Sequence, residues 1–155
     1  MSNGSVRLEQ MLPLIQERLA AGESVQFSPK GTSMRPTIYG WRDQVVLSPL
    51  PEKLEKYDLP LYRRDDGQFV LHRIVKVEET FTCIGDNQFI YEPGVRQDQM
   101  LALATGFYRK GKYYSCDGKG YKLYVRLWCG SRPLRHFVHC AYHGVMRRVK
   151  KLFKK

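Results

Sequence analysis

The stretch QFVLHRIVKV, residues 68–77, decides how the chain reads. Its branched and aromatic side chains alternate, which predicts a strand with Val70, His72, Ile74 and Lys76 on one face. Directly before it, RRDDGQF has the spacing of a hairpin with Asp66-Gly67 at the tip. Working outward, SVQFSP, QVVLS, LPLYRR, TFTCI and MLALATGFYR repeat the pattern between Gly, Pro and Asp breaks, and YRKGKYY gives a second hairpin. Many short strands without helices between them predict a mainly β, compact antiparallel body.

Helical patterns flank this body. Residues 6–21 set Leu8, Met11, Leu12, Ile15 and Leu19 at helical spacing, with Gly22 as a stop. Pro13 either weakens that helix or marks its start. From about Pro133 onward, Leu134, Val138, Ala141, Val145, Val149 and Leu152 form an apolar stripe, with Phe137 and Phe153 at its edges. His136, His139, His143, Arg147, Lys150 and Lys151 gather opposite, so the C-terminus reads as a basic amphipathic helix.

At 155 residues the chain can bury a core without disulfides or metal. No run of 18 apolar residues is present, which excludes a membrane-spanning helix. The N-terminal MSNGSVRLEQ lacks the plan of a secretory signal, so a cytoplasmic location is expected. Cys83, Cys116, Cys129 and Cys140 lack CxxC spacing and are expected as free thiols. The net charge of +11 is segregated: residues 1–118 balance 15 Lys/Arg against 15 Asp/Glu, while residues 119–155 hold 11 Lys/Arg and no acid. A neutral body of residues 1–118 thus carries a basic tail of residues 119–155.

The chemistry centres on SPKGTSMRPTI, residues 28–38. Gly31 and Pro36 suit a turn, but a turn does not require Met34 in its middle. Ser33 there is a candidate nucleophile, and a serine needs a base. His72, on a largely apolar strand face, is either a core histidine satisfied by backbone or that base. Asp86 in CIGDNQ either shapes a Gly-Asp-Asn turn or orients the imidazole.

Taken in order, GTSMRPT, VLHRIV and IGDNQ resemble the motifs of the signal peptidase I family in its Ser-His branch, together with its soluble serine peptidase relatives. The resemblance covers roughly residues 24–108, with a serine box at 31–37, a base strand at 68–77 and an acidic box at 85–92. It implies that Ser33 is the nucleophile, His72 the base, Asp86 the first acid and Glu92 the second, and that Met34 packs by the substrate pocket. The implied fold is the β fold shared by signal peptidases and SOS-repressor proteases, here with an N-terminal helix and a C-terminal basic helix. The implied activity is a cofactor-free serine endopeptidase that cuts a leader or signal-like peptide after small residues.

Three features depart from the family pattern. A short amphipathic segment precedes the serine box, where the family carries a membrane-spanning one. The usual G-D-x-V is stretched over Gly40 to Val45, and position 31 is glycine, so an oxyanion hole must use backbone N–H groups such as that of Ser33.

Alternatives from other classes stay open. Lys76 could replace His72 as base. The chain could be a catalytically idle peptide-binding module of the same fold, or a protease that cuts itself at Ala21-Gly22. His136, His139, Cys140 and His143 suggest a metal site, but histidines on a polar helix face are usually solvated, and no metal is expected. Nucleic acid is not expected either, because phosphate contacts do not require an apolar stripe. Residues 133–155 are instead expected either to hold the chain peripherally on an anionic membrane surface or to dock their stripe on the body.

Overall fold

The computed structural model describes residues 8–152. Among them the chain is mixed α/β, built on antiparallel sheets with three α-helices. Helix α1 (Leu8–Ala20) precedes β1 (Val25–Phe27), β2 (Gln44–Ser48), β3 (Pro60–Arg63), β4 (Phe69–Leu71), β5 (Arg73–Val77), β6 (Phe81–Ile84) and β7 (Glu92–Val95). A single 3₁₀ turn leads into the long β8 (Met100–Arg109), followed by β9 (Lys112–Ser115), α2 (Lys119–Gly130) and α3 (Arg132–Leu152). Phe153 lies outside the described residues, as do the side chains of residues 143–145 and 147–152.

The larger sheet runs β1-β2-β8-β3-β4, with β9 also on β8, and the smaller runs β5-β6-β7. Strand β8 can serve three partners because it is long: β3 takes its first residues, while β2 and β9 flank its second half. Both expected hairpins form. Gly67 supplies φ +87° at the first, and Lys110-Gly111, both at positive φ, turn the second with the twist that a two-residue connection needs.

The main departure from the sequence reading is at residues 68–77. The expected single strand breaks at His72, because β4 pairs with β3 in the larger sheet while β5 pairs with β6 in the smaller. Its neighbours divide by side-chain direction rather than by sheet. Leu71 joins the core between α1 and the larger sheet, with Ile15, Met34, Val45 and Phe107, whereas Val70 and Ile74 join Tyr62, Cys83 and Met100 in a second core. His72 therefore sits where the chain crosses between sheets.

Pro13 lies inside α1, and the Gly22 N–H closes that helix on Leu19. The helical part of the tail begins earlier than the stripe from Pro133 suggests, since α2 starts at Lys119. Only Ser131 separates α2 from α3. Pro133 has no N–H to offer the Cys129 carbonyl, so the ladder breaks there and the second helix starts afresh.

Candidate active site

Residues 31–38 form a tight turn, with Arg35 N–H bonded to the Thr32 carbonyl and Ile38 N–H to that of Met34. Met34 and Ile38 are both buried in the first core, which explains a bulky apolar residue inside a turn: it pins the serine box to the body. Gly31 holds φ +89°, and its backbone lies so close to Gly40 that a side chain at position 40 could not fit.

The acidic box is locked to the same turn. Asn87 N–H donates to the Ser33 carbonyl at 2.8 Å, and a Cβ added at Gly85 would lie 2.6 Å from that oxygen. Gly85 is glycine because the Ser33 backbone occupies the space of a side chain. Gly85→Ala should therefore push the serine turn aside, costing about 1–3 kcal/mol of stability by overpacking. A melting curve unchanged from wild type would contradict this.

Ser33, Met34 and His72 line one cleft of about 1050 Å³, together with Phe27, Trp41 and Leu71. Met34 borders this cleft while its side chain is buried in the first core. Trp41 rises exposed at the rim, held at φ +63° by its N–H bond to the Pro29 carbonyl. No hydrogen bond joins Ser33 Oγ to the imidazole among the described residues.

His72 is buried, with 4% of its surface exposed. Its Nδ1 lies 3.4 Å from the Tyr62 hydroxyl and 3.6 Å from Glu92 Oε2, the second being too long for a hydrogen bond. Tyr62 gives its one proton to Glu92 at 2.7 Å, so toward His72 its oxygen can only accept. That assigns the imidazole proton to Nδ1 and leaves Nε2 with a free lone pair. Arg64 closes the far side with two bonds of 2.6 Å to Glu92.

Burial pushes the imidazole down to about pKa 4; Glu92 pulls the other way and Arg64 adds to the lowering. His72 is therefore neutral near pH 7, the form a base needs. Burial also opposes the Glu92 carboxylate, but hydrogen bonds from Arg64 and Tyr62 outweigh it and hold Glu92 below the ordinary range. Tyr62 is driven upward, first by burial and then by its bond to Glu92, so it keeps its proton.

Asp86 requires a correction. Its carboxylate does not orient His72: both oxygens are taken by Arg73 at 2.8 and 2.7 Å, and Thr37 adds a bond to one of them. Arg73 and Asp86 are both fully buried. Asp86 reaches the imidazole only through its field. Its backbone carbonyl accepts from Trp128 Nε1 at 3.0 Å and from Arg135, while Tyr121 meets Arg73 and Tyr124 meets Thr37. Asp86 is one point at which α2 and α3 are tied to the β body.

Lys76 is corrected as well. The strand break and a bulge between Ile74 and Lys76 turn it outward, where it pairs with Glu78 at 2.9 Å. His136 and His139 lean on the Phe89 ring, and Cys140 Sγ lies 3.5 Å from His136 Nε2. The side chain of His143 is outside the described residues.

Sequence reasoning missed Tyr62, Arg64 and Arg73. Only Arg73, next to His72, carried a signal, since a buried arginine beside a histidine requires an acid. Comparison with family models, with curated proteins and with solved structures returned no match.

Proposed function

We propose that the chain is a serine endopeptidase resembling signal peptidase I, acting on a leader or signal-like peptide after small residues. The observation that carries this reading is a buried, neutral His72 in the cleft of Ser33, with Nδ1 backed by Tyr62 and Glu92 so that Nε2 is its basic atom. An extended peptide would lie in the cleft with Met34 against its small side chain.

Ser33 Oγ attacks the peptide carbonyl as His72 Nε2 takes the hydroxyl proton, forming a tetrahedral intermediate. The Ser33 N–H is the first candidate donor to its oxyanion. Collapse breaks the C–N bond, His72 returns the proton to the leaving amine, and water, deprotonated by the same nitrogen, hydrolyses the acyl-serine. No step requires a cofactor. Peripheral attachment to anionic membranes through residues 133–155, in an otherwise cytoplasmic protein, belongs to the same proposal.

A fluorophosphonate probe tests it. Labelling should occur at Ser33, vanish in Ser33→Ala, and rise with pH through about 4 to a plateau as His72 loses its proton. Absence of labelling at pH 7 in folded protein would overturn it.

The second reading, a catalytically idle peptide-binding module, draws on the missing Ser33–His72 hydrogen bond, although such bonds often tighten only with substrate. Self-cleavage has less support. Ala21-Gly22 closes α1 through bonds to Glu17 and Leu19, so that peptide would have to unwind first.

A further inference from the structure

The described apolar side chains of the tail stripe are largely exposed. The sides of α3 that lean inward carry Arg132 and Arg135, with His136 and His139 against Phe89. Elsewhere on the helix Leu134, Phe137 and Val138 are 67%, 70% and 58% exposed, Leu134 and Val138 along a groove that borders the body. Helix α2 repeats the arrangement: Val125, Tyr121 and Trp128 face the body while Leu123 and Leu127 face out. Over these residues the stripe is not core.

A third element joins this face. The loop between Asp86 and Glu92 presents Ile90, 85% exposed, and Tyr91 beside α3, and both line a groove of about 1670 Å³ with Leu134, Val138 and His139. That groove reaches Glu92 and shares Arg64 and Gln88 with the cleft of Ser33.

We infer that the outward face of α2 and α3, together with the Ile90-Tyr91 loop, is a docking surface for an anionic bilayer. This rests on the proposed peptidase reading only for its purpose, which is to bring the cleft to peptides at a membrane surface. The occupant is chosen by charge. Residues 119–155 carry 11 Lys/Arg and no acid, so an equally charged second copy would be repelled and negative headgroups attracted. Nucleic acid would answer the charge but not the outward leucines and phenylalanine, which need acyl chains.

The surface is wider than a C-terminal anchor. Besides the basic helix it engages an isoleucine two residues from Glu92, so docking and the His72 environment share one loop.

Flotation of full-length protein with vesicles of phosphatidylglycerol and phosphatidylcholine tests this. Binding should appear with phosphatidylglycerol, weaken with salt, and be lost on pure phosphatidylcholine. Ile90→Asp and Phe137→Asp, both at exposed positions, should each reduce binding about tenfold or more while the fold persists. Ser33→Ala should float like wild type, and wild-type protein that floats but cleaves no peptide refutes only the peptidase reading. Overturning results are no flotation by folded protein, unchanged binding in Ile90→Asp, a salt-stable dimer formed through Phe137, or RNA binding that Phe137→Asp leaves intact.

Discussion

Ser33→Ala and His72→Ala should each lower peptide cleavage by about six orders of magnitude, and the double variant should lose little more than either alone. The expectation follows from the roles. In the proposed mechanism serine and imidazole act as one unit, so the first removal eliminates the shared step and the second has little left to remove. His72 cannot be replaced by a neighbour, because the only lysine on its chain segment, Lys76, is exposed and held outward by Glu78. Lys76→Ala should therefore leave the rate unchanged. The measurement is single-turnover cleavage of a peptide with alanine before the scissile bond. Activity that survives His72→Ala but not Lys76→Ala would reverse the assignment of the base. No turnover by wild type, with equal peptide affinity in Ser33→Ala, would favour the idle module.

Much of the body was legible because its strands carry long alternating runs between clear breaks. QVVLS and MLALATGFYR match β2 and β8 residue for residue. The hidden parts have physical reasons. β7 is Glu-Pro-Gly-Val, a pairing segment without alternation, and only its partner β6 reveals it. Helix α2 seats half-buried tyrosines and a tryptophan through their polar ends as well as their rings, so no aliphatic stripe announces it. The break at His72 could not be read from residues 68–77, since alternation runs on unbroken while the two halves find partners in different sheets. That break also misdirected the acids. On a continuous strand His72 and Asp86 are natural neighbours, but the crossing turns Arg73 toward Asp86 and His72 toward β3 and β7, where Tyr62 and Glu92 wait. Motif order singled out residues that the fold sets near one another and could not say which carboxylate meets the imidazole.

The two carboxylates should therefore fail in different ways when neutralised. Glu92→Gln removes the charge behind Tyr62 and weakens the hold on the Nδ1–H tautomer. As a positioning residue Glu92 should cost about 10²–10⁴ in rate, the upper figure being the loss when a directly bonded triad acid is neutralised. Stability should change little, because Arg64 is partly exposed and can be solvated. The pH profile separates this from a structural role. Glu92 raises the imidazole pKa, so its loss should move the acid limb below the wild-type value of about 4. Asp86→Asn should fail in stability instead. It leaves Arg73 buried without its counter-charge, which costs about 3–5 kcal/mol, and it loosens the tie to α2 and α3. The melting temperature should fall sharply, while the molecules that remain folded keep a rate nearer wild type and an acid limb that moves less. Denaturation midpoints and pH–rate profiles of both variants, measured side by side, decide the matter. A stable Asp86→Asn protein with a rate lowered by orders of magnitude would return the orienting role to Asp86. A Glu92→Gln enzyme with wild-type rate and an unshifted limb would remove Glu92 from the site altogether.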